Sequence, residues 1–385
     1  MLQPSDASMR PPVHVFLVPG FFGFQVLAGL PYFFGVRELL RDALVARGVK
    51  ARVHALDTLP TASLEQRARF LAEKLLPITS SDDASIHIIG HSTGGLDAHV
   101  LLSRDAPLTK LPGLDGLRAR VRSLVTVSTP HHGTPLASLL ERMEGQKLLR
   151  LIGLLGVHGL RYAGRPLVSA LALGRVVGRL DELVMLRESA LDRAYSLLVD
   201  PLSRERLAPV EAFAAAVGRD QSLVRQLRPA GMAGFAEHYR LEPRIRRACV
   251  LSRARPPGLR GPLEVGLSPL GQLSHALYQG LYRLCATQPP DTLPEPTPSQ
   301  RARLVAEYGK VPSSEANDVM VPTRSQIDGA VLHLARADHH DVIGYFSDPK
   351  HDPPHVDWVV TGSGFRRAGF ERLWGAVADH IVAST

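Results

Sequence analysis

An alternation over the first 130 residues constrains this chain most. Short apolar runs rich in β-branched residues alternate with stretches of helical spacing. Residues 13–18, 51–56, 85–89 and 121–127 read as strands. Residues 37–47, 63–76 and 93–104 read as helices, the first stopped by Gly48 and the second started by Ser63. Strands joined through helices pair in parallel, and near-continuous apolar runs mark strands buried on both faces. The expectation is an α/β fold with a mostly parallel central sheet and helices on both faces. Strand signal returns at 248–251 and 330–335, and 369–381 offers a closing helix.

Between these parts the pattern changes. From 137 to about 228 the chain is rich in Leu, Ala and Arg at helical spacing, with no strand pattern. Residues 1–136 and 246–385 are therefore read as the core, and 137–245 as a helical cap or lid insertion. Within it, 145–155 and 167–177 are the most apolar helical stretches. The Pro-rich stretch 289–298 reads as an exposed linker or loop.

The chemistry concentrates at Gly90-His91-Ser92-Thr93-Gly94, directly after the third strand. Gly-x-Ser-x-Gly between a strand and a helix is a nucleophile elbow. The sharp turn holds Ser92 in a strained conformation with its hydroxyl presented. The helix that follows directs free N–H groups and a positive dipole toward developing negative charge. A second donor for an oxyanion should come from a Gly-bearing loop after an earlier strand. Pro19-Gly20-Phe21 is so placed, which makes the N–H groups of Phe21 and Thr93 the expected oxyanion hole.

A serine nucleophile needs a base and an acid, in the chain order Ser, Asp/Glu, His. Asp318 and Asp328 both qualify as the acid. His339 and His340, in Asp338-His339-His340-Asp341, both qualify as the base because they follow the last strand. His14, His54 and His87 lie inside strands, where a packed role is commoner. His131 and His132 lie in a turn.

Taken together, Gly-His-Ser-Thr-Gly-Gly (90–95), Ser-Thr-Pro-His-His-Gly-Thr-Pro (128–135), Asn-Asp-x-x-Val-Pro (317–322) and Asp-His-His-Asp-Val (338–342) resemble bacterial triacylglycerol lipases of the α/β-hydrolase superfamily. The loop 18–23 sits where that family has its oxyanion loop, and 227–235 is similar to a short segment those lipases carry. The resemblance implies an α/β-hydrolase fold with a large lid. It selects His339 as the base, through the family's His-x-Asp pattern, and Asp318 as the acid. It also implies a structural Ca²⁺ that some members bind through an aspartate two residues after the base, here Asp341. Without such an ion, Asp341 would cap a helix starting at Val342. Pro19 stands in place of the family's usual His, His99 in place of a frequent Arg, and the cysteine of some secreted members is absent.

Composition narrows the partners. Hydrophobic residues make up 45% of the chain, enough to bury a core. The net charge is +8, but only six of the 45 basic residues are Lys, and the arginines are scattered rather than clustered with aromatics. No nucleic-acid partner is expected. The net charge suits transient contact with a lipid interface. The two cysteines, Cys249 and Cys285, make no disulfide framework. No apolar run is long enough to span a bilayer, and no secretory signal is visible, so the sequence as given reads as cytoplasmic unless a leader was removed. The expected activity is that of a serine hydrolase cleaving carboxylic esters of lipids, needing no cofactor for the chemistry. An acyltransferase or thioesterase with the same triad, or an inactive lipid-binding module, are the alternatives.

Overall fold

Strand β1, Val13–Val18, is buried along its whole length because its side chains serve two apolar layers. Val13, Val15 and Leu17 enter one core cluster, Phe16 and Val18 the other. The computed structural model describes residues 12–142 (apart from 22, 24, 28–29 and 109–110), 215, 219–258, and 269–385 (apart from 356 and 358–360). Five further strands join β1: β2 (Ala51–Ala55), β3 (Ile86–His91), β4 (Val121–Val127), β5 (Arg246–Ser252) and β6 (Ala330–Ala335). Their order across the sheet is β2-β1-β3-β4-β5-β6, with every neighbouring pair parallel. These are the six strands expected from the apolar runs.

Helices α1 (Val36–Val45), α2 (Leu64–Thr79) and α3 (Thr93–Leu102) connect the first strands. Ser63 caps α2 as expected, in a reciprocal capping box with Gln66. Short helices follow: α4 (Leu114–Arg120), α5 (Pro135–Arg142), α6 (Ser222–Gln226) and α7 (Phe235–His238). The later part adds α8 (Pro269–Cys285), α9 (Pro298–Tyr308) and α10 (Arg367–Ser384). Leu64, Leu71 and Leu75 of α2 and Leu96 and Val100 of α3 cover one face of the sheet. Leu40 and Leu44 of α1 and Phe370, Trp374 and Val377 of α10 cover the other. Helices on both faces are what a sheet of doubly buried strands requires.

The Pro-rich stretch is only partly a loop. Helix α9 starts at its last residue, Pro298, because Thr297 and Gln300 form a capping box around a proline that needs no N–H donor there. The expected helical stretches 145–155 and 167–177, and most of the cap with them, lie outside the described residues. The described part of 219–245 packs inward. Leu223, Val224, Leu227, Met232, Phe235 and Tyr239 join the same buried cluster as α2 and α3. Both cysteines are free and buried. Among the described residues no helix is long and apolar enough to cross a membrane.

The strand histidines are packed. His14 pairs with His54 and Asp82. His87, fully buried in β3, lies 2.8 Å from Ser123 Oγ. Burial pushes the His87 imidazole down to about 4. A depressed folded-state value means the stabilising contribution is complete above ~6.5 and is lost as pH falls toward about 4. His87→Gln should therefore lose less stability than the parent between pH 7 and pH 4, by on the order of 3 kcal/mol. Urea unfolding at the two pH values checks this. Equal losses would mean that His87 carries no pH linkage.

Candidate active site

The turn at Ser92 is strained, as the motif led one to expect. Ser92 has φ 54° and ψ −131°, an unfavourable region for a residue with a side chain. Its hydroxyl makes no cap bond to the helix it precedes. Gly90 permits the turn. A Cβ there would stand 2.4 Å from Gly95 N and 2.5 Å from the Gly94 carbonyl. Thr93 and Gly94 open α3, so their N–H groups are among the four that a helix leaves without internal acceptors.

The loop after β1 is pressed against this turn. A Cβ on Gly20 would lie 2.5 Å from Ser92 Cβ, so only glycine allows the approach. The Gly20 carbonyl accepts from Gly23 N–H at 3.0 Å and from Arg67 Nη2 at 3.1 Å. In a trans peptide the N–H points opposite to the carbonyl. Fixing Gly20 O therefore fixes the direction of Phe21 N–H.

Arg67 is the buried hub of this region. It lies on α2, is fully buried, and forms an ion pair with equally buried Asp97 of α3 at 2.6 Å. It also donates to the carbonyls of Leu59 and Pro60, and its Nη2 lies 3.4 Å from Thr93 Oγ1. One guanidinium thus ties the loop after β1, the start of α3 and the loop before α2 together.

Asp318 and His339, the expected acid and base, are brought together. His339 Nδ1 lies 2.8 Å from Asp318 Oδ2, and both side chains are buried. His339 N–H also donates to the Asp318 carbonyl at 3.0 Å. Asp318 Oδ2 further accepts from Ser252 Oγ (2.7 Å) and Gln326 Nε2 (3.1 Å). Its Oδ1 accepts from the N–H groups of Met320 and Val321 at 3.1 and 2.7 Å. Asp328, the competing acid, instead pairs with Arg247 at 3.0 Å.

A second chain of contacts runs from the elbow to the base. Burial, followed by the charges of His339 and His340, holds His91 well below the usual imidazole range. Its Nε2 lies 2.9 Å from the His339 carbonyl, so that nitrogen carries the proton. Its Nδ1 then accepts from Tyr32 Oη at 2.8 Å. Burial raises the Tyr32 phenol, which keeps that donor protonated. The variable position of the elbow motif thus anchors the main chain of His339. The Thr-Pro-His-His-Gly turn braces the loop after Asp318, since Ser325 Oγ accepts from His132 N–H (3.1 Å) and donates to the Gly133 carbonyl (2.8 Å).

Sequence reasoning missed Arg67, Asp97, Tyr32, Ser252 and Gln326. Only Ser252 had a positional signal, lying at the carboxyl end of a sheet strand where such folds gather their sites.

One group near the base could hold a cation. Asp338, Asp341 and Asp357 bring carboxylate oxygens within 4.8 Å of one another. Burial raises Asp338 to about 6 and, with Asp338 and Asp357 nearby, lifts Asp341 well above the usual carboxylate range. An all-oxygen set suits a hard ion such as Ca²⁺. Asp341 does not cap a helix as the alternative had it. Its Oδ2 accepts from Asp338 N–H at 2.9 Å and from Ser363 Oγ at 2.8 Å, and only a 3₁₀ turn follows.

No protein-family model matches the chain. A triacylglycerol lipase of Vibrio cholerae serotype O1 is 31% identical over 130 residues, which is 33% of this chain and 35% of the relative. The match therefore spans about a third of that relative's length. The lipase of Staphylococcus hyicus superposes with a TM-score of 0.53 at 15% identity, over 100% of this chain and 98% of that one. Lipase 1 of Pelosinus fermentans gives 0.50 at 16% identity, over 97% and 99%. These likenesses show the fold. The chain has an α/β-hydrolase core, and its curated relative carries the family description that the motifs suggested.

Proposed function

We propose that this chain is a serine hydrolase cleaving carboxylic esters of lipids through an acyl-enzyme. The observation that carries the reading is the buried 2.8 Å Asp318–His339 pair, tied through His91 to the turn that holds Ser92 at φ 54°. Ser92 Oγ attacks the ester carbonyl while His339 takes its proton. Asp318 holds the imidazole tautomer and stabilises its cation. Phe21 and Thr93 N–H groups receive the oxyanion, each worth about 100–1000-fold in turnover. Collapse expels the alcohol, which takes the proton from His339. Water, deprotonated by the same imidazole, then attacks the acyl carbon and frees the acid and Ser92.

Lipid esters as substrates rest on the similarity to lipases and on the apolar stretches 145–155 and 167–177 within 137–245, which we assign as a cap or lid over the acyl groove. Asp338, Asp341 and Asp357 would hold the structural Ca²⁺ that the resemblance implies, bracing the loop that carries His339. The ion has no part in bond making.

A series of nitrophenyl esters of increasing chain length, assayed below and above each solubility limit, tests this reading. Hydrolysis of long-chain esters that climbs once droplets form is the expected result. Saturation with dissolved short esters alone would contradict the lipid assignment. Preferential acyl transfer to added alcohol over water would make the protein an acyltransferase.

A further inference from the structure

A second cluster lies away from the triad. His99 of α3 directs Nε2 at the Tyr239 carbonyl, 2.8 Å away. A carbonyl only accepts, so Nε2 carries the ring proton and Nδ1 presents a lone pair. That Nδ1 is buried and has no hydrogen-bond partner among the described residues. The group facing it is Asp328 Oδ2 at 4.0 Å, which is itself an acceptor. The other carboxylate oxygen is occupied, accepting from Arg247 Nη1 at 3.0 Å. His131 completes the group. Its ring lies 6.2 Å from that of His99, and its Nε2 is 3.2 Å from Thr126 Oγ1. One ligand atom from each of the three residues lies within 4.8 Å of the others.

An imidazole lone pair and a carboxylate oxygen that face each other in a buried space without a hydrogen bond between them are costly. A cation removes the cost. We propose that His99, His131 and Asp328 bind a divalent transition metal of the zinc class. Two imidazoles and a carboxylate are a common set for such ions and a poor one for Ca²⁺. Tetrahedral zinc bonds of ~2.0–2.2 Å place ligand atoms roughly 3.3–3.5 Å apart. The 4.0 Å between His99 and Asp328 closes to that by a small side-chain shift. The surroundings also match. A ligating imidazole usually donates its other N–H to a carbonyl or carboxylate, as His99 does to Tyr239. The metal would join α3, the turn after β4 and the loop before β6. That loop also carries Gln326, which donates to Asp318 at 3.1 Å, so the ion would stiffen the acid's support. With three protein ligands, a water completes the site.

The test uses the full chain, stripped with a chelator and then titrated with Zn²⁺ by calorimetry and elemental analysis. One equivalent should bind per chain, and the melting temperature should rise by a few degrees. Co²⁺ in its place should give the visible bands of a tetrahedral ion. His99→Gln and Asp328→Asn should each weaken binding by about 100-fold or more while keeping a native circular dichroism spectrum. Asp341→Asn should leave this equivalent in place, which separates it from the acidic cluster. The parental stoichiometry and the Co²⁺ spectrum decide the matter even if a variant fails to fold. Absence of tight binding by the parent, or binding indifferent to both His99→Gln and Asp328→Asn, would overturn the proposal.

Discussion

Ser92→Ala and His339→Ala should each lower ester turnover by about 10⁶-fold, and Asp318→Asn by about 10⁴-fold, with melting temperatures close to the parent's. The three act as one unit, so any double variant should be no worse than the poorer single one. Asp318→Asn is the most informative of the three. The carboxylate accepts from five groups, with His339, Ser252 and Gln326 on one oxygen and two backbone N–H groups on the other. An amide turns one of those oxygens into a donor. It either faces existing donors or forces His339 into the wrong tautomer, with the proton on the nitrogen that should accept from Ser92. Turnover within tenfold of the parent in any of the three variants would contradict these roles.

Arg67→Met should cost about 3–5 kcal/mol of stability, because it leaves the fully buried Asp97 without its counter-charge. Turnover should fall as well. Without the guanidinium, the Gly20 carbonyl loses one of its two donors, and the Phe21 N–H is no longer held in its direction. A misplacement of about 1 Å can cost roughly 100-fold. Stability and activity should separate in the double variant Arg67→Met/Asp97→Leu. Replacing both members of a buried ion pair by apolar side chains is often close to neutral for stability. Melting should therefore recover while turnover stays low. Recovery of both would reduce the pair to a packing element with no hold on the oxyanion loop.

What the sequence made legible has a physical pattern. The inner strands announce themselves because most of their buried side chains are apolar, while the edge strands, only partly buried, were readable from shorter apolar runs that admit Arg52, His54 and His333. The elbow was readable because its glycines and serine are adjacent in the chain. Asp318 and Asp328 could not be separated on local grounds, since both end apolar loops near the last strand. Their environments differ only in space, one meeting His339 and the other Arg247. Arg67 reads as an ordinary polar position on an amphipathic helix. Its role depends on Asp97 and Gly20, which reach it only through the packing of α2 on α3 and β1. His91 occupies the unspecified position of the elbow motif, and its use emerges only once Tyr32 and the His339 carbonyl flank it. Helix α9 was within reach, because Thr297-Pro298-Ser299-Gln300 is a capping signature inside a stretch whose prolines suggested a linker.

Covalent labelling addresses the central claim most directly. The full chain would be treated with a fluorophosphonate ester, digested, and the modified peptide identified by mass spectrometry. The account predicts one adduct per chain, on Ser92, formed in step with loss of ester hydrolysis. It also predicts that labelling slows by orders of magnitude in His339→Ala, because the serine then has no base. Full ester hydrolysis with Ser92 unmodified, or inactivation that tracks an adduct on a different residue, would contradict it.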